Sequence, residues 1–510
     1  MPHRPPTPLI AKIAATAALI LLVEVLIEPA AALLWTAALG WIAALVATRP
    51  VLRRSRPALV ALAMATLFAA ALLDDPSPLA VLLFLVAIGL AALLPRRRFD
   101  DALAWSLRLA RATVTAPLLP LHDLTLAAQL RARRGDPAMR FGSILTALAV
   151  PVVGGALFLA LFANANPLIA AAFAGMVLPD AVTVLWRGLL ALVVLVVVWA
   201  TLRPAPRATA WAGTLPAIVL PQTAPATLIL SLATFNTIFA VQNALDLAFL
   251  WSGAALPAGV TMADYAHRGA YALIVTALLA GLFVLVTLRP GSPGAASPAV
   301  RRLVTLWIVQ NVLLVASSAL RTLEYVDAYS MTVLRVSALI WMALVAVGLV
   351  LILWRLLGHR SSAWLINANA LAAAVVLTAC AFVDLGATAA AWNVDVALRR
   401  HTLAHLDLCY LASLGPSAIL PLARLEQATR DPAARDAIAS VRWDTQHALT
   451  GWQSGPHDWT WRGARRLARV EALMGTTAPH LRPSPNGRVC GVIAPPPEVA
   501  PAPLTKAPQR

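Results

Sequence analysis

The sequence predicts an all-α fold: a polytopic helical membrane protein with about 11 transmembrane helices and a small helical extracytoplasmic C-terminal region. Two observations predict this class. Of the 510 residues, 60% are hydrophobic and only 12% are charged, a composition far outside the range of soluble globular proteins. In addition, arginines gather in every second gap between long apolar segments, and such basic gaps stay on the cytoplasmic side during insertion.

The basic charge of the chain indicates lipid contact rather than nucleic-acid binding. The formal net charge is +17, but the basic residues flank the apolar segments, where they meet anionic lipid headgroups. We therefore expect membrane lipids as partners and no nucleic acid, while the sequence specifies no protein partner. Arginine greatly outnumbers lysine, which suggests a GC-rich bacterial genome and hence the bacterial plasma (inner) membrane.

The three cysteines, Cys380, Cys409 and Cys490, form no CxxC pair and show no metal-ligand spacing. We therefore expect no metal site and no cofactor. Cys409 and Cys490 fall on the same outer side of the predicted topology and could form a disulfide, although their spacing does not decide this.

The first 95 residues are predicted to form an N-terminal four-span hydrophobic module. A helix needs about 20 apolar residues to cross a bilayer, and the first such segment is 9–27. Glu24 and Pro29 favour an uncleaved span here over a secretory signal. The other three segments are short and rich in alanine and leucine, at 30–47, 57–73 and 78–95.

The remainder of the chain divides into four further parts. Residues 96–140 are basic and cytoplasmic, and form either a helix in the inner headgroup layer or a solvated loop with two short helices. Residues 392–475 are predicted to be an outer helical region, and 476–510 a disordered tail. Between them, residues 141–391 are predicted to form a seven-span core, with spans at 141–163, 181–202, 226–250, 269–288, 303–321, 332–357 and 364–391. A cytoplasmic N-terminus and an odd number of spans place the C-terminus outside.

Polar residues inside or beside the spans are candidates for function, because a polar side chain in hydrocarbon is costly. Within the spans, Asn236 and Asn243 share one helix face, and Gln310, Arg321 and Glu324 share another. The remaining candidates lie near the outer ends of predicted spans or in the segments beside them, at Asp246, Asp327, Tyr329, Thr332, Arg335, Asp384 and Asn393.

These side chains allow two interpretations. In the functional one, they line a polar cavity that opens outward, with Arg321 and Arg335 paired against Glu324, Asp327 and either Asp384 or Asp246. In the structural one, they are interhelical hydrogen bonds and ion pairs that stabilise the helix bundle. The sequence contains no catalytic motif in a usable context, so it assigns no catalytic residue.

Four segments also resemble a known family. YAHRGA at 265–270, RTLEYVDAYSMTVLR at 321–335 and WNVDVALRRHTLAHLDLCYLASLGPSAILPL at 392–422 are similar to blocks of the bacterial membrane family catalogued as domain of unknown function 4173. DWTWRGARRLAR at 458–469 resembles the Trp-rich closing element of that family. The resemblance covers roughly residues 140–470. It implies an integral membrane protein without an established activity, and it adds Tyr265, Arg268 and Tyr325 to the candidates. Ser330 stands where that family has glycine.

Three functions fit these observations. The one we favour is a non-enzymatic ligand-binding, sensory or transport-related component, whose outward-facing polar cavity takes a small-molecule or lipidic ligand. The second is a membrane enzyme acting on a lipid-linked substrate at the outer leaflet, with Arg321 and Arg335 holding a phosphate or carboxylate. Its general base would be Glu324, Asp327 or Asp384. The third is a scaffold that assembles envelope or signalling partners through the C-terminal region and the basic cytoplasmic loop.

Overall fold

The computed structural model describes residues 9–27, 31–134, 154–155, 158, 180–204, 224–248, 279, 283, 297–403, 406–484 and 487–493. This part of the chain is all-α apart from one two-stranded sheet. The chain divides into two compact units, one of Met1–Leu220 with Pro456–Asp458 and one of Pro221–Gly455 with Trp459–Arg510. The five-part division predicted from the sequence stays a prediction.

The described residues of the first unit form seven α-helices. Asp101 and Asp180 cap two of these helices, since each carboxylate accepts a hydrogen bond from the backbone N–H three residues on. The helices are α1 Leu9–Leu22, α2 Leu34–Thr48, α3 Arg56–Asp74, α4 Pro78–Leu93, α5 Ala102–Thr115, α6 Leu118–Arg134 and α7 Ala181–Leu202.

Alanine determines how closely α3 and α4 pack. Ala58 and Ala65 of α3 and Ala80 and Ala91 of α4 have no exposed surface. Small residues at a helix interface let the two backbones approach each other, which increases the van der Waals contact available inside a membrane. The alanine-rich composition of these segments therefore has a direct packing role.

One buried arginine joins the ends of three helices in the first unit. Arg49, directly after α2, donates hydrogen bonds from its Nη1 to the carbonyls of Ala92 (2.8 Å) and Thr201 (2.9 Å), at the ends of α4 and α7. These carbonyls carry the negative end of each helix dipole, so a cation is favourable there. Burial lowers the pKa of Arg49 to about 10, which leaves it charged at neutral pH. The three helices end together, as the predicted alternation of spans requires.

The second unit contains nine α-helices and a hairpin among its described residues. The hairpin strands pair antiparallel, with Arg488 opposite Ile493 and Val489 opposite Val492. In chain order the elements are α8 Pro225–Asp246, α9 Pro298–Tyr329, α10 Val333–Leu357, α11 Ser362–Phe382, α12 Leu385–Arg400, α13 Leu408–Ser413, α14 Ile419–Ala428, α15 Pro432–Ser454, α16 Trp461–Met474, β1 Arg488–Val489 and β2 Val492–Ile493.

Seven helices of the described residues are long and apolar enough to cross a membrane. They are Arg56–Asp74, Pro78–Arg96, Val182–Leu202, Ala226–Asp246, Pro298–Tyr329, Val333–Leu357 and Ser362–Phe382. Of the other predicted spans, 30–47 corresponds to the shorter apolar helix α2, and 9–27 to α1 with a π-helical turn at Val23–Ile27. The spans predicted at 141–163 and 269–288 lie outside the described residues. The all-α membrane class is therefore supported, whereas the count of 11 is not confirmed.

Two predicted boundaries differ from the structure. The span predicted at 364–391 ends at Phe382, because Asp384 starts a new helix, α12, by accepting a hydrogen bond from the backbone N–H of Ala387 (2.9 Å). Residues 488–493, which we predicted to lie in a disordered tail, form the hairpin. A disulfide between Cys409 and Cys490 attaches this hairpin to the start of α13.

Helices α12 to α15 enclose a core of their own. Its fully buried side chains are apolar and include Leu411, Leu422, Leu425 and Ile438. A buried ion pair between the Arg442 Nε and Glu426 Oε2 (2.6 Å) joins α14 to α15, and Gln446 donates to the carbonyl of Gly475 (2.9 Å) after α16.

Candidate functional site

The first group of predicted site residues joins α8 to α9. Asn236 donates to the carbonyl of Leu303 (3.0 Å), and Asn243 donates to the carbonyl of Gln310 (3.2 Å). Residue numbers rise together along the two helices, so α8 and α9 are parallel. The predicted topology, which has one span between them, also makes them parallel.

Side chains complete this interface, which we call the α8–α9 polar seam: Asn236, Gln242, Asn243, Asp246, Gln310 and Arg321. Gln310 donates to Asn236 Oδ1 and Gln242 donates to Asp246 Oδ1, both at 2.9 Å. Arg321 forms an ion pair with Asp246, and their side chains are only 7% and 3% exposed. Such contacts hold membrane helices together, so the geometry gives this seam a structural role.

Several oxygens at the seam retain hydrogen-bonding capacity. Asn243 Oδ1, Asp246 Oδ2 and Gln310 Oε1 are buried and accept no hydrogen bond within the described part of the chain. Each oxygen can accept a hydrogen bond from a donor such as water. Burying a polar atom without a hydrogen bond costs free energy.

The second group fixes the link between α9 and α10. The Asn393 side chain accepts a hydrogen bond from the backbone N–H of Met331 (2.6 Å) and donates one to its carbonyl (2.9 Å). The Tyr410 hydroxyl accepts a hydrogen bond from the N–H of Val333 (2.9 Å). Residues far along the chain thus satisfy backbone groups of the short link between α9 and α10 and of the first residue of α10.

Arg335 and Tyr325 stabilise the same link from its other side. Arg335 donates from Nη1 to the carbonyls of Tyr329 (2.7 Å) and Ser330, and its guanidinium lies 4.2 Å from the centre of the Tyr325 ring. The Thr332 hydroxyl caps α10 by accepting from the N–H of Arg335 (3.3 Å). Arg335 therefore binds carbonyls and an aromatic ring, whereas the expected cavity had it paired with carboxylates.

Ser330 adopts a backbone conformation that glycine favours. Its φ is 68° and its ψ is 163°, a region that residues with a Cβ rarely adopt. The link between α9 and α10 thus requires the special backbone geometry even though serine occupies the position.

The predicted acids lie in separate places. Asp327 pairs with Arg400 at 3.6 Å on the surface, and Glu324 is half-buried on α9. Asp384 pairs with Arg466 and accepts a hydrogen bond from the Ser417 hydroxyl (2.8 Å). Burial acts to raise the pKa of Asp384, but the hydrogen bonds and the charge of Arg466 outweigh it, so the pKa lies below its usual value.

The structure therefore separates the predicted candidates into the seam, the α9–α10 link and the contacts of Asp384 with Arg466 and Ser417, while Glu324 and Asp327 belong to none of these groups. Of the ion pairs considered from the sequence, it contains the one between Arg321 and Asp246. Tyr265 and Arg268 lie outside the described residues. The space beside Asp327 and Asn393 measures about 20 Å³, which holds about one water molecule.

A larger cavity lies in the C-terminal region, and sequence reasoning missed it. Its volume is about 360 Å³, within the range of small-molecule pockets. We call it the C-terminal cavity. Its walls are three leucines before and at the start of α13, the first turns of α15, the hairpin and Arg482. The lining is apolar except for two arginines and consists of Leu403, Leu406, Leu408, Ala433, Ala434, Ala437, Ile438, Arg482, Arg488, Val492 and Ile493.

The C-terminal cavity carries an excess of positive charge. Arg482 pairs with Asp436 through its Nε at 2.6 Å, and this hydrogen bond lowers the pKa of Asp436. Arg488 donates to the carbonyls of Gly491 (2.7 Å) and Arg482 (3.0 Å), and its charge also acts to lower the pKa of Asp436. Two arginines and one aspartate leave one positive charge at this site.

The hairpin that closes the C-terminal cavity is held by two local features. The Cys409–Cys490 disulfide fixes its turn to α13. Gly491, with φ of +82°, lies so close to α15 that a Cβ would be 2.0 Å from the carbonyl oxygen of Ala437. The segments that form the C-terminal cavity are far apart in the sequence, so the cysteine pair was the one sequence signal that they lie together.

Comparison with known proteins identifies one family. The profile of a domain of unknown function, DUF4153, matches residues 58–425. The resemblance to domain of unknown function 4173 drawn from four short segments is therefore wrong, since the match is to a different domain. Neither the curated proteins nor the solved structures include a match to this chain.

Proposed function

The chain belongs to the DUF4153 family, whose activity is not established, and we propose that it is a ligand-binding membrane protein. In this proposal it is a sensory or transport-related component of the bacterial plasma membrane, and the C-terminal cavity binds an amphiphile with an acidic headgroup. The observation that carries the proposal is a cavity of about 360 Å³ with an apolar lining and two arginines, which share one aspartate, Asp436.

The chemistry of the lining supports this ligand class. Leucine, alanine, isoleucine and valine side chains favour a hydrocarbon group, because burying it removes apolar surface from water. Arg482 and Arg488 can each donate two parallel hydrogen bonds to a carboxylate or phosphate. Because the lining side chains include neither a nucleophile nor a general base, we propose binding rather than catalysis.

The proposed topology places this cavity outside the cell. Disulfides persist mainly in oxidising compartments such as the bacterial periplasm, and Cys409 and Cys490 form one beside the cavity. This supports a multi-pass protein with a cytoplasmic N-terminus and an extracytoplasmic C-terminus. A ligand would then arrive from the envelope side.

Photoaffinity labelling of the purified full-length protein tests the proposal. The probe is decanoate with a photoreactive diazirine, and the matched probe is the corresponding uncharged decanol. We expect decanoate to label peptides that contain 433–438 or 488–493, excess unlabelled decanoate to compete, and decanol to label several-fold less. Equal labelling by the two probes would contradict the role of the arginines.

Variants at the C-terminal cavity test separately how its volume and its charge contribute to ligand binding. Ala434→Phe fills the cavity and should abolish labelling, while Ala448→Phe, on an exposed part of the same helix, should leave it unchanged. Arg488→Gln should reduce labelling by decanoate, and Arg488→Lys should retain most of it. Unchanged labelling of the Ala434→Phe variant would rule out this cavity as the site.

A further inference from the structure

Helix α16 begins where a candidate membrane span ends. The Arg462 Nη2 donates to the carbonyl of Phe382, the last residue of α11, at 3.0 Å. Arg466 pairs with Asp384, two residues further on. Since α11 is long and apolar enough to span a bilayer, its end marks the level of a membrane–water boundary. These contacts fix the first turns of α16 at that level.

One face of α16 packs against the rest of the C-terminal region. Val470 is buried against Ile419, Ala423 and Leu449, with Leu467 beside them. Gly463 lies on the same side and is buried, and a Cβ at this position would come within 2.4 Å of the Gln453 side-chain nitrogen of α15. This packing fixes the rotation of the helix, and therefore determines which side chains face away.

The opposite face is exposed and forms one continuous stripe at helical spacing. Trp461 is 50% exposed and Leu473 is 48% exposed. The stripe, which we call the α16 outer face, consists of Trp461, Arg465, Ala468, Arg469, Ala472 and Leu473. It combines an indole, two cationic side chains and apolar surface.

We propose that the α16 outer face lies on the membrane surface and binds the headgroups of anionic phospholipids. Tryptophan is enriched at membrane–water interfaces because its ring is apolar and its N–H is polar. Arginine binds phosphate through parallel hydrogen bonds while its aliphatic stem contacts apolar surface. The position of α16 at the end of α11 brings these side chains to the headgroup layer, which favours a lipid surface over a protein partner.

Site-specific crosslinking in nanodiscs tests this contact. Benzoylphenylalanine replaces Ala468 on the α16 outer face, and in a control protein it replaces Ala448, exposed on α15. The bilayer is phosphatidylcholine alone or an equal mixture of phosphatidylcholine and phosphatidylglycerol. We expect the probe at 468 to crosslink lipid, with phosphatidylglycerol several-fold enriched over its share of the mixture, and the probe at 448 to crosslink little lipid.

Arginine variants test whether the α16 outer face recognises the anionic headgroup or only lies near the bilayer. The Arg465→Gln, Arg469→Gln double variant should lose the phosphatidylglycerol enrichment, and the corresponding double lysine variant should keep most of it. Melting temperatures of the variants check that folding is retained. Crosslinks from position 468 to protein, including a second copy of this chain, would overturn the proposal. So would equal lipid crosslinking from positions 468 and 448, or enrichment that survives the double glutamine change.

Discussion

Two arginines that the sequence places fourteen residues apart have different environments. Arg321 is buried on α9 and pairs with Asp246 of α8. Arg335 lies in the first turn of α10 and donates to carbonyls at the end of α9, where the helix dipole favours a cation. The sequence shows that both are unusual in an apolar context, but only the packing separates an interhelical ion pair from a helix-end contact.

Breaking the Arg321–Asp246 pair should destabilise the second unit strongly. Arg321→Gln removes the cation that pairs with the buried Asp246 carboxylate, so it should lower the free energy of unfolding by about 3–5 kcal/mol. Asp246→Asn should destabilise the protein as well. The double variant leaves no isolated charge and should be more stable than the sum of the two single effects predicts. Reversible unfolding in mixed detergent micelles measures all four proteins.

Glu324→Gln is the matched control for this cycle. Glu324 lies three residues from Arg321 on the same helix and is half-buried, so its change should have a much smaller effect. If the two single effects simply add in the double variant, Arg321 and Asp246 are not energetically coupled.

Ser330 offers a second prediction at the residue scale. Its φ of 68° and ψ of 163° cost a residue with a Cβ about 1–3 kcal/mol, whereas glycine adopts them freely. Glycine also adds entropy to the unfolded chain, so Ser330→Gly should stabilise the protein by a net amount of roughly 1 kcal/mol. Ser330→Ala, which keeps a Cβ, should give no such gain. Melting temperatures of the three proteins measure the difference.

At the scale of elements, apolar length predicted most helices but not where they end. The apolar run continues past Asp384 into Ala389 and Ala390, so hydropathy alone extends the last span to 391. The structure stops it at Phe382, because the Asp384 carboxylate caps α12. The bonds that join α8 to α9 connect residues about 67 positions apart, and no local pattern encodes them. The C-terminal cavity was missed for the same reason.

The contact between α16 and Asp384 should make stability depend on pH. The pKa of Asp384 is lower in the folded protein than its usual value of roughly 3.9. A lowered pKa means that the stabilisation is complete above the unfolded value and is lost as pH falls through the folded value. We therefore expect the difference in melting temperature between wild type and Asp384→Asn to be constant above about pH 5 and to shrink below about pH 4.

Arg466→Gln should weaken this pH dependence, because Arg466 supplies the charge and the hydrogen bond that lower the pKa. Asp327→Asn is the control, since Asp327 is largely exposed and its ion pair with Arg400 is long, at 3.6 Å. An Asp384→Asn difference that persists unchanged into acid would contradict the assignment.

At the scale of the whole molecule, the all-α class followed from composition and charge alternation, while the side of the membrane on which the C-terminal region lies stays a prediction. Charge alternation predicts a cytoplasmic N-terminus, and an odd number of spans then predicts that the C-terminal region lies outside. The disulfide joins residues 81 positions apart, and its loop contains most of helices α13 to α16. An oxidised Cys409–Cys490 pair in the cell would therefore support the predicted orientation independently of the span count.

Thiol counting in intact cells tests this orientation. Cys380 is the free cysteine, so alkylation with an iodoacetamide reagent during denaturing extraction should modify one thiol, and alkylation after reduction should modify three. Mass spectrometry of the full-length protein counts them, and Cys380→Ser controls for the free thiol. Because the cytoplasm keeps most thiols reduced, modification of all three without reductant would place the C-terminal region inside the cell. An oxidised pair would also explain how the hairpin stays closed over the cavity. Removing such a disulfide typically lowers the free energy of unfolding by about 2–5 kcal/mol. Cys409→Ser should therefore increase the rate of amide hydrogen exchange in residues 488–493.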